Sequence, residues 1–183
     1  QEYLPAEQGL LSAKSQNCDY WYIDGSIDSE LPEKWNKKRI DNLLRSIEEH
    51  HIKPIFHGNF KSPLASDVEQ IRKSAIEYTK KEIDLACWLN APVIIHGGAI
   101  VEPRLVVHVK KIAIQNYLNS ITELIEYAEQ KSVSLYLENL CNYKYYRPFH
   151  YIFAHIDEIE YVFSYLPNAH LFLDIGHANV CDG

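Results

Sequence analysis

Apolar positions along this chain alternate between two spacings. Five short runs, Asp19–Asp24, Ile52–His57, Pro92–His96, Val133–Glu138 and Leu171–Asp174, are near-continuously apolar and rich in strand formers. Each is bounded by glycine or polar residues, so each reads as a buried strand. Between them the spacing changes to that of a helix. Ile40, Leu43, Leu44 and Ile47 make one stripe within Trp35–His51. Ser66-x-x-Glu69 has the form of a capping box and predicts a helix to about Leu89, with Val68, Ile71, Ala75, Ile83 and Ala86 inward. Ile114, Tyr117, Leu118, Ile121, Leu124, Ile125 and Ala128 predict another over Val107–Lys131. Ile156, Ile159, Phe163 and Leu166 mark a shorter one over His155–Leu166. A weaker face, Leu4, Leu10, Leu11 and Ala13, precedes the first strand. Asn139–Ala154 fits neither spacing and is crowded with aromatic residues.

Strand then helix, repeated, predicts a parallel α/β fold with both sheet faces covered. The strands end in Asp24, His57, His96, Glu138 and Asp174, one βα unit apart, and His177 follows three residues later. A doubly wound sheet gathers its site at one switch point. A barrel brings the C-terminal ends of all its strands around one centre. Chemistry-bearing residues at every strand end favour the barrel.

Composition narrows the partners. The net charge is −7 with no basic run, which disfavours broad contact with a nucleic-acid backbone. No apolar run reaches the roughly 20 residues of a membrane helix. Cys18, Cys87, Cys141 and Cys181 lie far apart without a C-x-x-C, the pattern of buried thiols in a reducing compartment, and a cytoplasmic location is expected. The chain begins at Gln1, contains no methionine and ends directly after its fifth strand, so it is expected to be part of a longer or processed protein.

Histidine and carboxylate together suit zinc, manganese, iron or cobalt better than magnesium or calcium alone. A divalent cation also resolves the cost of burying Glu138 and Asp174 near one another. Each residue alone has a plainer reading as a hydrogen-bonded structural group; five at successive strand ends argue for a shared site. Glu138 and Asp174 are its firmest members, while His57 and His96 can bind substrate instead. Tyr rings in the aromatic stretch, with Lys144, Arg147 and His150, suit stacking on a sugar and holding a phosphate or carboxylate. The same stretch also reads as a lid packed on itself. Glu102 and Arg104 read as a rim pair, His50, His51, His108 and His155 as solvated, and His170 as structural.

The motifs Phe56-His-Gly-Asn-Phe60, Ile94-Ile-His-Gly-Gly98, Leu135-Tyr-Leu-Glu-Asn139 and Leu173-Asp-Ile-Gly-His-Ala178 resemble the strand ends of the xylose-isomerase-like TIM barrels. That superfamily includes sugar-phosphate isomerases and epimerases, inosose dehydratases and endonuclease IV. The resemblance runs from about Asp19 to the end and implies one incomplete barrel domain over residues 1–183, about strands two to six of eight. It places Glu138 and Asp174 on metal ligands common to the superfamily. It places His177 on a substrate-binding residue of the sugar enzymes and a zinc ligand of endonuclease IV, and His57 and His96 on zinc ligands of the nuclease or pocket residues of the sugar enzymes. The implied activity is metal-dependent isomerisation or epimerisation of a small sugar or sugar phosphate, with Glu138 and His177 as catalytic groups and His57, His96, Lys144 and Arg147 on the substrate. The alternatives are a zinc phosphodiesterase acting on abasic DNA and a non-catalytic barrel fragment. Unfinished sheet edges would leave pairing with a second copy open.

Overall fold

The computed structural model describes residues 4–101, 106–143, 145 and 147–182. Five strands pair side by side in chain order: β1 (Tyr20–Asp24), β2 (Lys53–His57), β3 (Val93–His96), β5 (Leu135–Glu138) and β7 (His170–Phe172). Every adjacent pair is parallel. Each βα unit therefore adds its strand to the same growing edge, with none of the order reversal of a doubly wound sheet. Right-handed crossovers then place all connecting helices on one face, the wall of a barrel.

Burial follows from that placement. In β1, Trp21 and Ile23 are buried while Tyr20 and Tyr22 are exposed. In β2, Pro54 and Phe56 are buried, and Lys53 is exposed. Successive side chains point to opposite faces, so one face packs under the helices and the other lies open. The packed layer holds Phe56, Val93, Leu137, Ile83, Leu89, Ile121 and Leu124, all shut off from solvent.

The helices are α1 (Ala6–Ser15), α2 (Lys37–His50), α3 (Glu69–Trp88), α4 (Val106–Gln130), α5 (Ile156–Tyr165) and α6 (Ile175–Asp182). Among the described residues no helix is long and apolar enough to cross a membrane. All four cysteines are unpaired.

Several local expectations need correction. The Ser66 capping box does not form: α3 begins at Glu69 with Val68 as its cap, and the Ser66 hydroxyl instead accepts the Val68 N–H at 3.2 Å. Val68 and Ile71 are half exposed because the first turn of α3 overhangs the packed layer, which starts at Ala75. Leu11 and Ile156 also face outward. The chain does not end on its fifth parallel strand, since α6 follows it. The aromatic stretch is also partly regular. Phe149–Tyr151 forms β6, antiparallel to β4 (Ala99–Val101), and so ties this part of the stretch to the chain just past the end of β3. Asn142 closes this strap by a two-way bond to Tyr151, accepting its N–H and donating to its carbonyl, both at 2.8 Å. Glu102, Arg104 and Lys144 lie outside the described residues.

The corner between β3 and β4 depends on two glycines. A Cβ on Gly98 would stand 2.0 Å from the Cβ of Ala65 and 2.6 Å from its backbone nitrogen; one on Gly97 would meet the Ile152 carbonyl at 2.5 Å. Backbone cannot give way there as a flexible side chain would. Gly98→Ala should therefore cost at least about 1–3 kcal/mol, the usual range for overpacking. A urea midpoint unchanged from the parent chain would show that this contact is not tight.

Candidate functional site

The sheet register decides which strand-end residues meet. His96 pairs with Glu138, and Asp24 pairs with His57, whose other neighbour is Ile94, two residues before His96. Paired residues in adjacent strands share a face, so all four side chains lie on the helix-free side, with His57 one row below His96. Their rings meet edge to face at 4.5 Å between centroids. Glu138 lies between them at 2% exposure. Its Oε2 is 3.0 Å from His96 Nε2 and 3.2 Å from His57 Nε2.

Asp174 and His177 arrive from the far side of Glu138. Asp174 follows β7 and caps α6: its Oδ1 accepts the His177 N–H at 2.7 Å. Asparagine and aspartate are favoured at this position because a short carboxylate or amide reaches the free N–H groups of the first turn. One helical turn then sets the His177 ring beside the carboxylate that caps it. His177 Nδ1 lies 2.8 Å from the carbonyl of Asn139, 3.6 Å from Glu138 Oε1 and 3.8 Å from Asp174 Oδ2. A carbonyl only accepts, so Nδ1 carries the proton and Nε2 keeps its lone pair for a cation or a substrate oxygen.

Electrostatics keep the centre charged. Burial alone would raise the pKa of Glu138, but the imidazoles of His57 and His96 beside it hold it down to about 2. Burial pushes the pKa of His96 below the usual value, against the pull of Glu138.

The donor set fits a metal. Glu138 Oε2 is buried, and although two nitrogens lie within reach, neither meets it with hydrogen-bond geometry. Ligands at about 2.0–2.2 Å from one ion stand about 3.0–3.5 Å apart; the separations of His57 and His96 from Glu138 lie in that range, and those of His177 Nδ1 from Glu138 and Asp174, at 3.6 and 3.8 Å, lie just beyond it. Among the described residues two groups of donors qualify, His57 with His96 and Glu138, and Glu138 with Asp174 and His177; in each the ligand atoms lie within 4.8 Å of one another. Glu138 belongs to both. The second shells differ. His177 and Asp174 are anchored by hydrogen bonds, whereas the buried Nδ1 of His57 has no hydrogen-bond partner among the described residues. A ligating imidazole normally donates its second N–H, so His57 is the less prepared ligand.

These residues line one cleft of about 670 Å³. Tyr22, Asp24, Phe60, Leu140, Cys141, Tyr143 and Tyr151 complete much of its wall. Sequence reasoning placed Asp24 at the rim but did not single out Phe60, Leu140 or Cys141. Phe60 stands beside the His96 ring, 6.4 Å between centroids, on a loop that Glu82 holds by accepting the Asn59 N–H at 2.8 Å. Burial raises the pKa of Glu82 to about 8. Arg147 does not line the cleft; it lies over the ring of Tyr143, 5.0 Å from its centroid. His170 packs on Tyr136 on the open face of the sheet.

The buried His96 makes the site sensitive to acid. As pH falls, the unfolded chain takes up its imidazole proton near 6.5, while the folded ring resists it. Folded stability is therefore lost below about pH 6.5. The melting temperature of metal-free protein should drop between pH 7 and pH 5, and His96→Asn should flatten that slope. An equal slope in the variant would place the acid sensitivity elsewhere.

Residues 12–183 match the family described as xylose isomerase-like TIM barrel. An uncharacterized protein of Methanocaldococcus jannaschii is 26% identical over 145 residues, 78% of this chain and 48% of its own length. The chain thus spans about half of that relative. Among crystal structures, a D-tagatose 3-epimerase-like protein superposes with a TM-score of 0.76 at 22% identity, over 97% of this chain and 64% of its own. D-Psicose 3-epimerase from Clostridium cellulolyticum H10, crystallised with D-tagatose, gives 0.75 at 19%, over 94% and 59%. The 3-keto-D-glucoside 4-epimerase of E. coli gives 0.75 at 15%, over 100% and 68%. At such identities the likeness carries the fold, and its agreement with the strand order joins the match over residues 12–183. The chain belongs to the xylose isomerase-like TIM barrel family.

Proposed function

We propose that this chain carries the site of a divalent-metal-dependent sugar isomerase or epimerase, which moves a proton at a carbon next to a carbonyl. The observation that carries this reading is Glu138, a buried carboxylate kept ionised at the floor of an open cleft and shared by two clusters of ligand atoms. Glu138, Asp174 and His177 would hold the ion, which we take to be manganese, cobalt, zinc or iron. Such an ion supplies Lewis acidity, polarising a carbonyl and gripping neighbouring oxygens.

The protein's own groups do the rest. Glu138 accepts the proton and returns it. Its low pKa makes it a weak base while both imidazoles flank it, and its basicity rises once His57 and His96 take substrate oxygens as partners instead. Nε2 of His177 accepts from, or orients, a substrate hydroxyl. Phe60, Tyr143 and Leu140 offer apolar surface to the C–H face of a sugar and exclude water from it. Arg147, held over Tyr143 at the rim, and Lys144 would meet an anionic group on a phosphorylated substrate. The epimerases that share this fold act as support for a small sugar as the substrate class. We place the protein in the cytoplasm, in keeping with its free thiols.

A second reading, a phosphodiesterase of the endonuclease IV kind, is favoured by the His57–His96–Glu138 cluster, which could hold a further ion sharing Glu138. The unpartnered Nδ1 of His57 and the net charge of −7, which repels a polyanion at long range, weigh against it. A non-catalytic barrel piece is the remaining alternative.

The test is an assay of the full-length protein with manganese or cobalt, on a panel of ketoses, aldoses and their phosphates and on abasic DNA. Sugar turnover is expected. Glu138→Gln should lower kcat by about 10²–10⁴, the usual worth of a positioned acid–base group, while His57→Ala should mainly raise KM. Cleavage of abasic DNA lost in both variants, with no sugar turnover, would replace this reading with the nuclease. Metal binding without either activity would favour the non-catalytic piece.

A further inference from the structure

Asn139 leaves β5 immediately after Glu138, is 3% exposed, and joins three groups of the site. Its side-chain Nδ2 donates to the Asp174 carbonyl at 3.0 Å, and its Oδ1 accepts the Asp174 N–H at 2.7 Å. Its own carbonyl accepts the proton of His177 Nδ1 at 2.8 Å. Backbone pairing between β5 and β7 ends at Glu138 and Phe172. The amide of Asn139 copies a peptide group, one donor and one acceptor in a plane, and carries that ladder two residues further to Asp174.

We infer that Asn139 is a positioning residue: it fixes Asp174 and His177 at their spacing from Glu138 by standing in for a missing strand residue. This rests on the metal-site reading above and adds to it the group that holds two of the three ligands in register. The chemistry narrows the side chain to asparagine. Aspartate keeps the acceptor but sets an anionic oxygen against the Asp174 carbonyl. Alanine removes both bonds. Glutamine carries the same amide one methylene further out, past the Asp174 backbone. Because Asn139 reaches the site only through Asp174 and His177, its removal should weaken the metal without removing any ligand atom.

The experiment measures manganese affinity, by electron paramagnetic resonance of the free ion, on the chain and its variants. The temperature is one at which circular dichroism shows each variant fully folded. Asn139→Asp should bind manganese about 10- to 100-fold more weakly, the usual cost of losing a group that orients a ligand. Asn139→Ala should match it; if it fails to fold, Asn139→Asp carries the test, being nearly the same size. In a double-mutant cycle, Asp174→Asn combined with Asn139→Asp should lose less than the sum of the two single losses, since both act through Asp174. Equal affinity of parent and Asn139→Asp would overturn the inference. So would strictly additive losses, which would make Asn139 independent of Asp174. A parent chain that binds no manganese, cobalt or zinc would overturn the metal-site reading itself, a result distinct from both.

Discussion

A carboxylate buried at the end of a parallel strand is the constraint on which this structure turns. Glu138 is almost sealed from water, and an ion so placed must find charge or hydrogen bonds nearby. Its own strand supplies neither. The register brings His96 beside it from β3 and His57 diagonally from β2, while Asp174 and His177 close from the β7 side. A sheet wound in one direction makes this possible, because each added strand delivers its last residue to the same rim. The helices behind the sheet exist, in this sense, to hold four strand ends at fixed spacing.

The strands and their terminal residues were legible in the sequence because both are local: a short apolar run, then a polar residue, followed by glycine after Asp24, His57 and His96. Helix faces were legible at their centres and less so at their ends. Ala75, Ile83 and Ala86 of α3 are buried as their spacing requires, yet Val68 and Ile71 are not, since a helix lying across a curved layer touches it only along its middle. Ile156 is exposed at the start of α5 for the same reason. The β4–β6 strap was not legible, because it pairs segments some fifty residues apart and neither has a strong strand pattern. The last helix was hidden by its composition, which has no apolar stripe and includes Gly176.

At the site, residue types were legible and roles were not. Histidine and carboxylate at successive strand ends pointed to a shared centre, and the geometry brings His57, His96, Asp174 and His177 each within a few ångströms of Glu138. What spacing along a chain cannot reveal is which nitrogen of a ring is engaged. The bond from His177 Nδ1 to a backbone carbonyl is a tertiary contact, as is the two-way bond of Asn139. Arg147 shows the same limit: nothing in the aromatic, basic stretch reveals that its guanidinium lies over the ring of Tyr143.

The two oxygens of Asp174 serve different masters. Oδ1 caps α6, and Oδ2 faces the ligand cluster. A helix of eight residues has little tendency to persist alone, so α6 depends on its cap and on its packing. Any unwinding of its first turn would release the Asp174 cap and carry His177 away with it. A cation held by Asp174 and His177 would then favour the wound state of that segment, so its affinity would include part of the free energy of forming one short helix.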